Sequence, residues 1–208
     1  MNVFTTLSSE ALTVSRDKLQ SLQELDKAEL DFPKTIFANY NKPPEEIINH
    51  LGGAPVILKV IEGTQGLGVV LAETKNAAES MMDAFKGLET PVMVQEYIKE
   101  SKGSDIRVFV VDNEVVGAIR RQGQEGEFRS NLHRGGSARV AILNQEEKEV
   151  AIKATKALGL NIAGVDMLRS ARGPLILEIN SSPGLEGIEL VTKKDIAKEI
   201  IRFVEKSI

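Results

Sequence analysis

Two periodicities alternate along the chain. Short apolar runs at 56–61, 69–72, 92–97, 105–111, 114–121, 137–142, 162–168 and 175–179 are bounded by Gly, Pro or polar turns and predict strands. Between them, apolar residues recur every three or four positions and predict helices. Leu19, Leu22 and Leu25 follow a Ser15 cap. Ala78, Met81, Met82 and Phe85 lie inward on a helix over 74–86. Asn144 and Glu147 form a capping pair for a helix that runs to Leu158 and stops at Gly159. Thr192 and Asp195 precede Ile196, Ile200, Phe203 and Val204 on one helical side. Pro43-Pro44 with Glu45-Glu46 opens a short helix that Gly52-Gly53 closes. Asp112-Asn113 is a two-residue hairpin turn. Residues 1–12 are weakly patterned.

The last two apolar runs matter most. With Ala171-Arg172-Gly173 as a three-residue loop, Ser170 pairs with Pro174, and counting back sets Asp166 opposite Glu178. Side chains alternate along a strand, so Asn180 shares the face of Glu178. Like charges directly opposite destabilise a hairpin. A bound divalent cation is the simplest offset, and two carboxylates with an amide suit Mg²⁺. The alternative is a solvated outer face carrying two unrelated acids.

Other polar residues interrupt apolar surroundings. Lys59 sits within a strand, where a lysine facing a core needs an anionic partner. The glycine-rich loop that follows it, Gly63 to Gly68, has backbone N–H groups able to lie over phosphates; it is equally readable as an ordinary hairpin turn. It lacks the Gly-Lys-Ser/Thr of a Walker loop. Lys18 lies in the first turn of its helix, a position that favours a cation only with an anion nearby. The polar turn after Tyr97 reads as a boundary between two lobes, and strand-end backbone at 96–98 has the N–H and C=O groups that could hydrogen-bond a flat heterocycle. Residues 120–136 form a basic, glycine-rich loop whose arginines suit carboxylate and phosphate oxygens.

Composition narrows the classes. Of 208 residues, 42% are hydrophobic and 27% charged, as in a globular enzyme, and the net charge of −4 gives no general pull towards nucleic acid. Aromatics at 4% argue against base stacking. With no Cys and only His50 and His133, thiol catalysis and His-rich metal sites are excluded. No apolar run approaches the ~18 residues that span a bilayer. No basic region followed by an apolar core opens the sequence, so the expected compartment is the cytoplasm.

In order, Lys18 within RDKLQSL, Lys59 before EGTQGLG, QEY at 95–97, GSDIR at 103–107, RSNLHRGG at 129–136, GVD at 164–166 and EINSSPGLEG at 178–187 resemble the ATP-grasp ligases. Within that superfamily they are most similar to the RimK-type glutamate ligases, which add glutamate to the C-terminus of a small-subunit ribosomal protein. The resemblance implies an α+β fold, with two α+β lobes whose antiparallel sheets grip ATP between them. Residues 1–14 would be an N-terminal tail, 15–97 the first lobe and 98–208 the second.

By the same resemblance, Lys18 and Lys59 bind the ATP phosphates, and a loop including Gly63, Thr64, Gln65 and Gly66 closes over them. Gln95, Glu96 and Tyr97 lie at the adenine, Asp105 takes the ribose, and Arg129, Ser130 and Asn131 line the nucleotide and acceptor side. Arg120 and Arg129 are the expected catalytic side chains. Asp166, Glu178 and Asn180 hold two Mg²⁺, with Mn²⁺ as a substitute. Implied partners are ATP, glutamate, a protein or peptide C-terminus and further copies of the chain; nucleic acid and membrane are not implied. Full-length members carry an additional N-terminal α/β domain, so ATP binding is the firmer implication. Two alternatives are an ATP-binding module inactive alone, and a ligase for another acceptor such as a cofactor tail or D-alanine.

Overall fold

A computed structural model describes residues 4–38, 42–61, 68–130 and 135–208. The described elements are, in order, α1 (Ser9–Arg16), α2 (Lys18–Lys27), β1 (Thr35–Ala38), α3 (Pro44–His50), β2 (Val56–Val60), β3 (Val69–Ala72), α4 (Lys75–Gly87), β4 (Val92–Glu96), β5 (Ser104–Val111), β6 (Glu114–Gln122), β7 (Ser137–Val140), α5 (Gln145–Ala157), β8 (Ile162–Ser170), β9 (Gly173–Asn180), α6 (Glu186–Thr192) and α7 (Ile196–Ser207). They fall into two compact units, Pro33–Lys99 and Met1–Phe32 with Glu100–Ile208.

The unit Pro33–Lys99 is a four-stranded antiparallel sheet in the order β1-β4-β2-β3. Val56 and Leu58 of β2 and Val92 and Val94 of β4 pack against Ile47 and Ile48 of α3 and Ala78 and Met82 of α4. Strand alternation turns Lys59 of β2 and Gln95 of β4 to the opposite face.

The larger unit is a five-stranded antiparallel sheet in the order β7-β6-β5-β8-β9. Ile106, Val108, Val165 and Met167 bury one face against α5 and the N-terminal helices. On the other face Phe109, Val111 and Ile119 pack with Ile188 of α6 and Ile196 of α7. That apolar cover ends short of the strand ends that carry Asp105 and Arg121.

The N-terminus departs from the sequence reading. The resemblance implies a tail over residues 1–14, yet Ser8 accepts from the Ala11 N–H at 3.1 Å and opens α1. Asp17, not Ser15, caps the next helix: one carboxylate oxygen accepts from the Leu19 and Gln20 N–H groups at 2.9 Å each. The Ser15 hydroxyl instead donates back to the Leu12 carbonyl within α1. Ala11, Leu25 and Leu30 are buried in the core of the five-stranded unit. Burial of these residues therefore assigns 15–32 to the unit of 100–208 rather than to a lobe over 15–97.

The capping pair is present as read. Glu147 accepts from the Asn144 N–H at 2.9 Å while Asn144 accepts from the Glu147 N–H at 2.8 Å. Arg169 reaches the same buried carboxylate with Nε and Nη2 at 2.5 and 2.9 Å. Burial pushes the Glu147 carboxyl up, but Arg169 and the Asn144 N–H outweigh it and hold it below the usual range. Glu147→Gln is expected to lower unfolding free energy by about 2 kcal/mol, from a weakened cap and a lost ion pair. A depressed carboxylate stabilises above its ordinary pKa and loses that contribution as pH falls through the lowered value. Urea titrations should therefore show the gap between wild type and variant closing in acid.

Candidate active site

Two charge pairs face each other across neighbouring strands of the larger sheet. Arg107 on β5 pairs with Asp166 on β8, and Asp105 on β5 pairs with Arg121 on β6. Arg107 grips Asp166 through two contacts, Nε to Oδ1 at 2.7 Å and Nη2 to Oδ2 at 2.6 Å. Arg121 grips Asp105 in the same way at 2.7 and 2.5 Å, and its Nη2 also reaches Asp166 Oδ2 at 2.8 Å. The Ser130 side chain adds a hydrogen bond to Asp105. The network holds two acids and two bases, and only Arg107 is appreciably exposed.

The two carboxylates respond differently. Burial pushes Asp166 up, but Arg121 and Arg107 together outweigh it and hold the group below the usual range. Asp105 has one guanidinium, shared with Asp166. Burial and the neighbouring negative charge therefore leave Asp105 above its ordinary value. Both arginines are held firmly protonated.

Asp166 does stand opposite Glu178, and Asn180 lies on the same face opposite Gly164. The route to that register differs from the sequence count. Ser170 pairs with Gly173 across a two-residue turn, and a bulge beside Met167 then gives β9 one extra residue, Leu177. The two departures cancel at Asp166. Gly164 permits close approach of the following loop, since a Cβ there would lie 2.8 Å from the Pro183 Cβ. Asn180 donates through Nδ2 to the Gly164 carbonyl at 3.4 Å. Glu178 is exposed while Asp166 is buried. The charge conflict that suggested a cation already has an offset within the protein, in Arg107 and Arg121. Hard oxygens from two carboxylates and an amide still suit Mg²⁺; among the described residues no group of three or more His, Cys, Asp or Glu stands together.

Arg120 is not in this network. A straight count from the Asp112-Asn113 turn sets Arg120 opposite Asp105. An irregularity between Phe109 and Val110 adds Val116 to β6 and brings Arg121 there instead. Arg120 points to the other face and donates from Nη2 to the Ser104 hydroxyl at 2.9 Å. Arg129 is held by Glu127, with Nη2 to Oε2 at 2.8 Å, and lies 5.0 Å from the Phe128 ring centroid. Lys18 opens α2 and is half-buried.

In the unit Pro33–Lys99, Lys59 Nζ donates to Gln95 Oε1 at 2.7 Å, and Gln95 Nε2 donates to the Thr35 hydroxyl at 2.8 Å. The strand lysine thus meets a buried amide as a polar partner. Glu96 accepts from the Lys34 N–H at 2.7 Å, and Tyr97 follows it half-buried. Gly63, Thr64, Gln65, Gly66 and Asn131 lie outside the described residues. Arg107 and Arg121 are the functional candidates that residue-by-residue reading passes over. Strand alternation carries a signal for the first, because Asp105 and Arg107 are two charges on one face of an otherwise apolar strand.

Residues 15–204 match the model of the RimK-like ATP-grasp domain. The chain belongs to the RimK-like ATP-grasp family. It is 55% identical over 206 residues to a probable alpha-L-glutamate ligase of Syntrophotalea carbinolica, covering 99% of this chain and 68% of that protein. A protein of the same description from Pseudoalteromonas translucida is 56% identical over 207 residues, covering 100% and 69%. Among solved structures, the ATP-grasp ligase PsnB, complexed with a phosphomimetic variant of its minimal precursor, Mg and ADP, aligns with TM-score 0.77 at 23% identity, over 99% of this chain and 63% of that one. D-alanine–D-alanine ligase from Bacillus anthracis aligns with TM-score 0.73 at 19% identity, over 95% and 68%. At those identities the solved structures speak for the fold: an α+β ATP-grasp ligase fold with two antiparallel sheets. The chain thus spans 63% of the PsnB chain and a little over two thirds of the two glutamate-ligase relatives. Among the described residues no helix is long and apolar enough to cross a membrane.

Proposed function

We propose that this chain is the ATP-grasp portion of a ligase that joins glutamate to the C-terminus of a protein or peptide. The observation that carries the reading is the facing pair Asp166 and Glu178, with Asn180 beside them, in a chain whose relatives are described as probable alpha-L-glutamate ligases. A carboxylate of the acceptor attacks the γ-phosphate of ATP, ADP leaves, and an acyl phosphate forms. The glutamate amine then attacks the acyl carbon, phosphate leaves, the amine loses a proton, and an amide results. Such phosphoryl transfer needs positioning and charge neutralisation rather than a protein nucleophile.

In this reading Lys18 and Lys59 meet the phosphates, residues 95–97 meet the adenine, and Arg129 and Ser130 line the acceptor side. Asp105 holds Arg121 in place rather than taking the ribose. Asp166, Glu178 and Asn180 would hold Mg²⁺, as two ions replaceable by Mn²⁺, which would neutralise the phosphate oxygens. The acceptor in full-length relatives of this type would be a small-subunit ribosomal protein, met in the cytoplasm by an enzyme that self-associates.

A second reading is a nucleotide-binding module without turnover by itself; the match covers 68% and 69% of the two relatives. Incubation with ATP, Mg²⁺, glutamate and a glutamate-ending peptide separates the two. The ligase reading expects ADP release with a mass gain of glutamyl units on the peptide. ATP binding without ADP release supports the module. Amide formation on D-alanine or a cofactor tail, but not on the peptide, overturns the acceptor.

A further inference from the structure

Arg120 and Arg139 are directly paired across β6 and β7, on the sheet face opposite Asp166. Like charges so placed repel. Among the described residues neither guanidinium makes an ion pair. Arg120 is held by the Ser104 hydroxyl, itself anchored on the Ser101 carbonyl at 2.6 Å, and among the described residues most of its five N–H donors meet no other side chain. Gln122 and Ser137, the next pair on that face, complete a cavity of about 260 Å³ lined by Arg120, Gln122, Ser137, Ala138 and Arg139. Its side chains offer two cations and neutral donors, with no acid among them.

We propose that Arg120 and Arg139 form a carboxylate-binding site for an acidic peptide tail, a role resting on the ligase reading above. Each glutamate added to an acceptor adds a negative charge, while the chain itself carries −4. The general field of the protein therefore repels the product as it lengthens, and a local pair of guanidiniums offsets that repulsion. Two-point contact with carboxylates is what the guanidinium geometry favours. Nucleic acid is the poorer occupant, because among the described residues no aromatic ring lines the cavity for stacking.

The test is fluorescence anisotropy with a labelled peptide ending in a run of glutamates and another ending in one. Wild type should bind the longer tail more tightly. Arg139→Ala should weaken that binding by roughly tenfold, as expected for losing hydrogen bonds to a charged group. Lys206→Ala, which removes an exposed cation from the last turn of α7, should leave it unchanged. Equal losses in both variants, equal affinity of wild type for the two tails, or tighter binding of a single-stranded oligonucleotide than of the longer peptide would each overturn the site. ADP release with the single-glutamate peptide is followed in parallel. Its absence from wild type removes the ligase reading, whereas tail binding that ignores Arg139 removes only this site.

Discussion

Asp166→Asn is expected to lose both turnover and stability, whereas Glu178→Gln loses turnover alone. The two residues are cross-strand partners but live in different environments. Asp166 is buried and receives three contacts from Arg107 and Arg121. An asparagine keeps the shape and removes the charge, so two guanidiniums are left sharing Asp105. Removing one partner from a buried ion network costs about 3–5 kcal/mol, and the partial exposure of Arg107 brings the expectation to about 2–4 kcal/mol. Glu178 is exposed, and its amide variant should stay within about 0.5 kcal/mol of wild type. Both should slow ADP release at least ~100-fold, the scale of losing one electrostatic stabiliser of a charged transition state. Urea denaturation and coupled ADP assays on the same preparations read the two effects separately. Wild-type turnover in Glu178→Gln would end the metal assignment; wild-type stability in Asp166→Asn would end the structural role of the arginine network.

That division is only half legible in the sequence. The Asp166–Glu178 pairing follows from local information, a turn and alternation, and two departures of one residue happen to cancel along it. The Asp105–Arg121 pairing is just as local, but there a single irregularity stands alone and moves the register by one. A straight count therefore selects Arg120, on the wrong face. The arginines of Asp166 are out of reach for another reason. They lie 59 and 45 residues away in the chain, and they meet it only because β5 is inserted between β6 and β8. Strand order is a long-range property that period and turn chemistry leave open. The N-terminal helices show the same limit. Their spacing is readable in Leu22 and Leu25, but the unit they pack on depends on a core assembled from residues beyond 100. A strand lysine needs a polar partner, and one that Lys59 meets is the buried amide of Gln95.

Arg121→Met should destabilise the protein more than any other single change in this network. Among the described residues Arg121 is the one bonded to both Asp105 and Asp166, and all three are nearly inaccessible to solvent. Methionine fills much of the volume but leaves Asp105 buried without a guanidinium, for an expected loss of about 3–5 kcal/mol. Asp105→Leu added to Arg121→Met should recover most of that, because replacing a buried ion pair with apolar residues is often near neutral. The gain from mild acid should be larger than in wild type. In wild type the depressed Asp166 carboxylate stabilises above its ordinary pKa and loses that contribution as pH falls through the lowered value. Asp105 is already raised, and without Arg121 burial raises it further. A carboxyl raised in the folded state opposes folding at neutral pH, and that penalty disappears as acid protonates it. Arg121→Met should therefore gain stability from neutral pH into mild acid, while the double variant should not. Urea midpoints across that range check both slopes. A variant that gains no more stability from neutral pH into mild acid than wild type does would show that Asp105 was not left charged and unpaired.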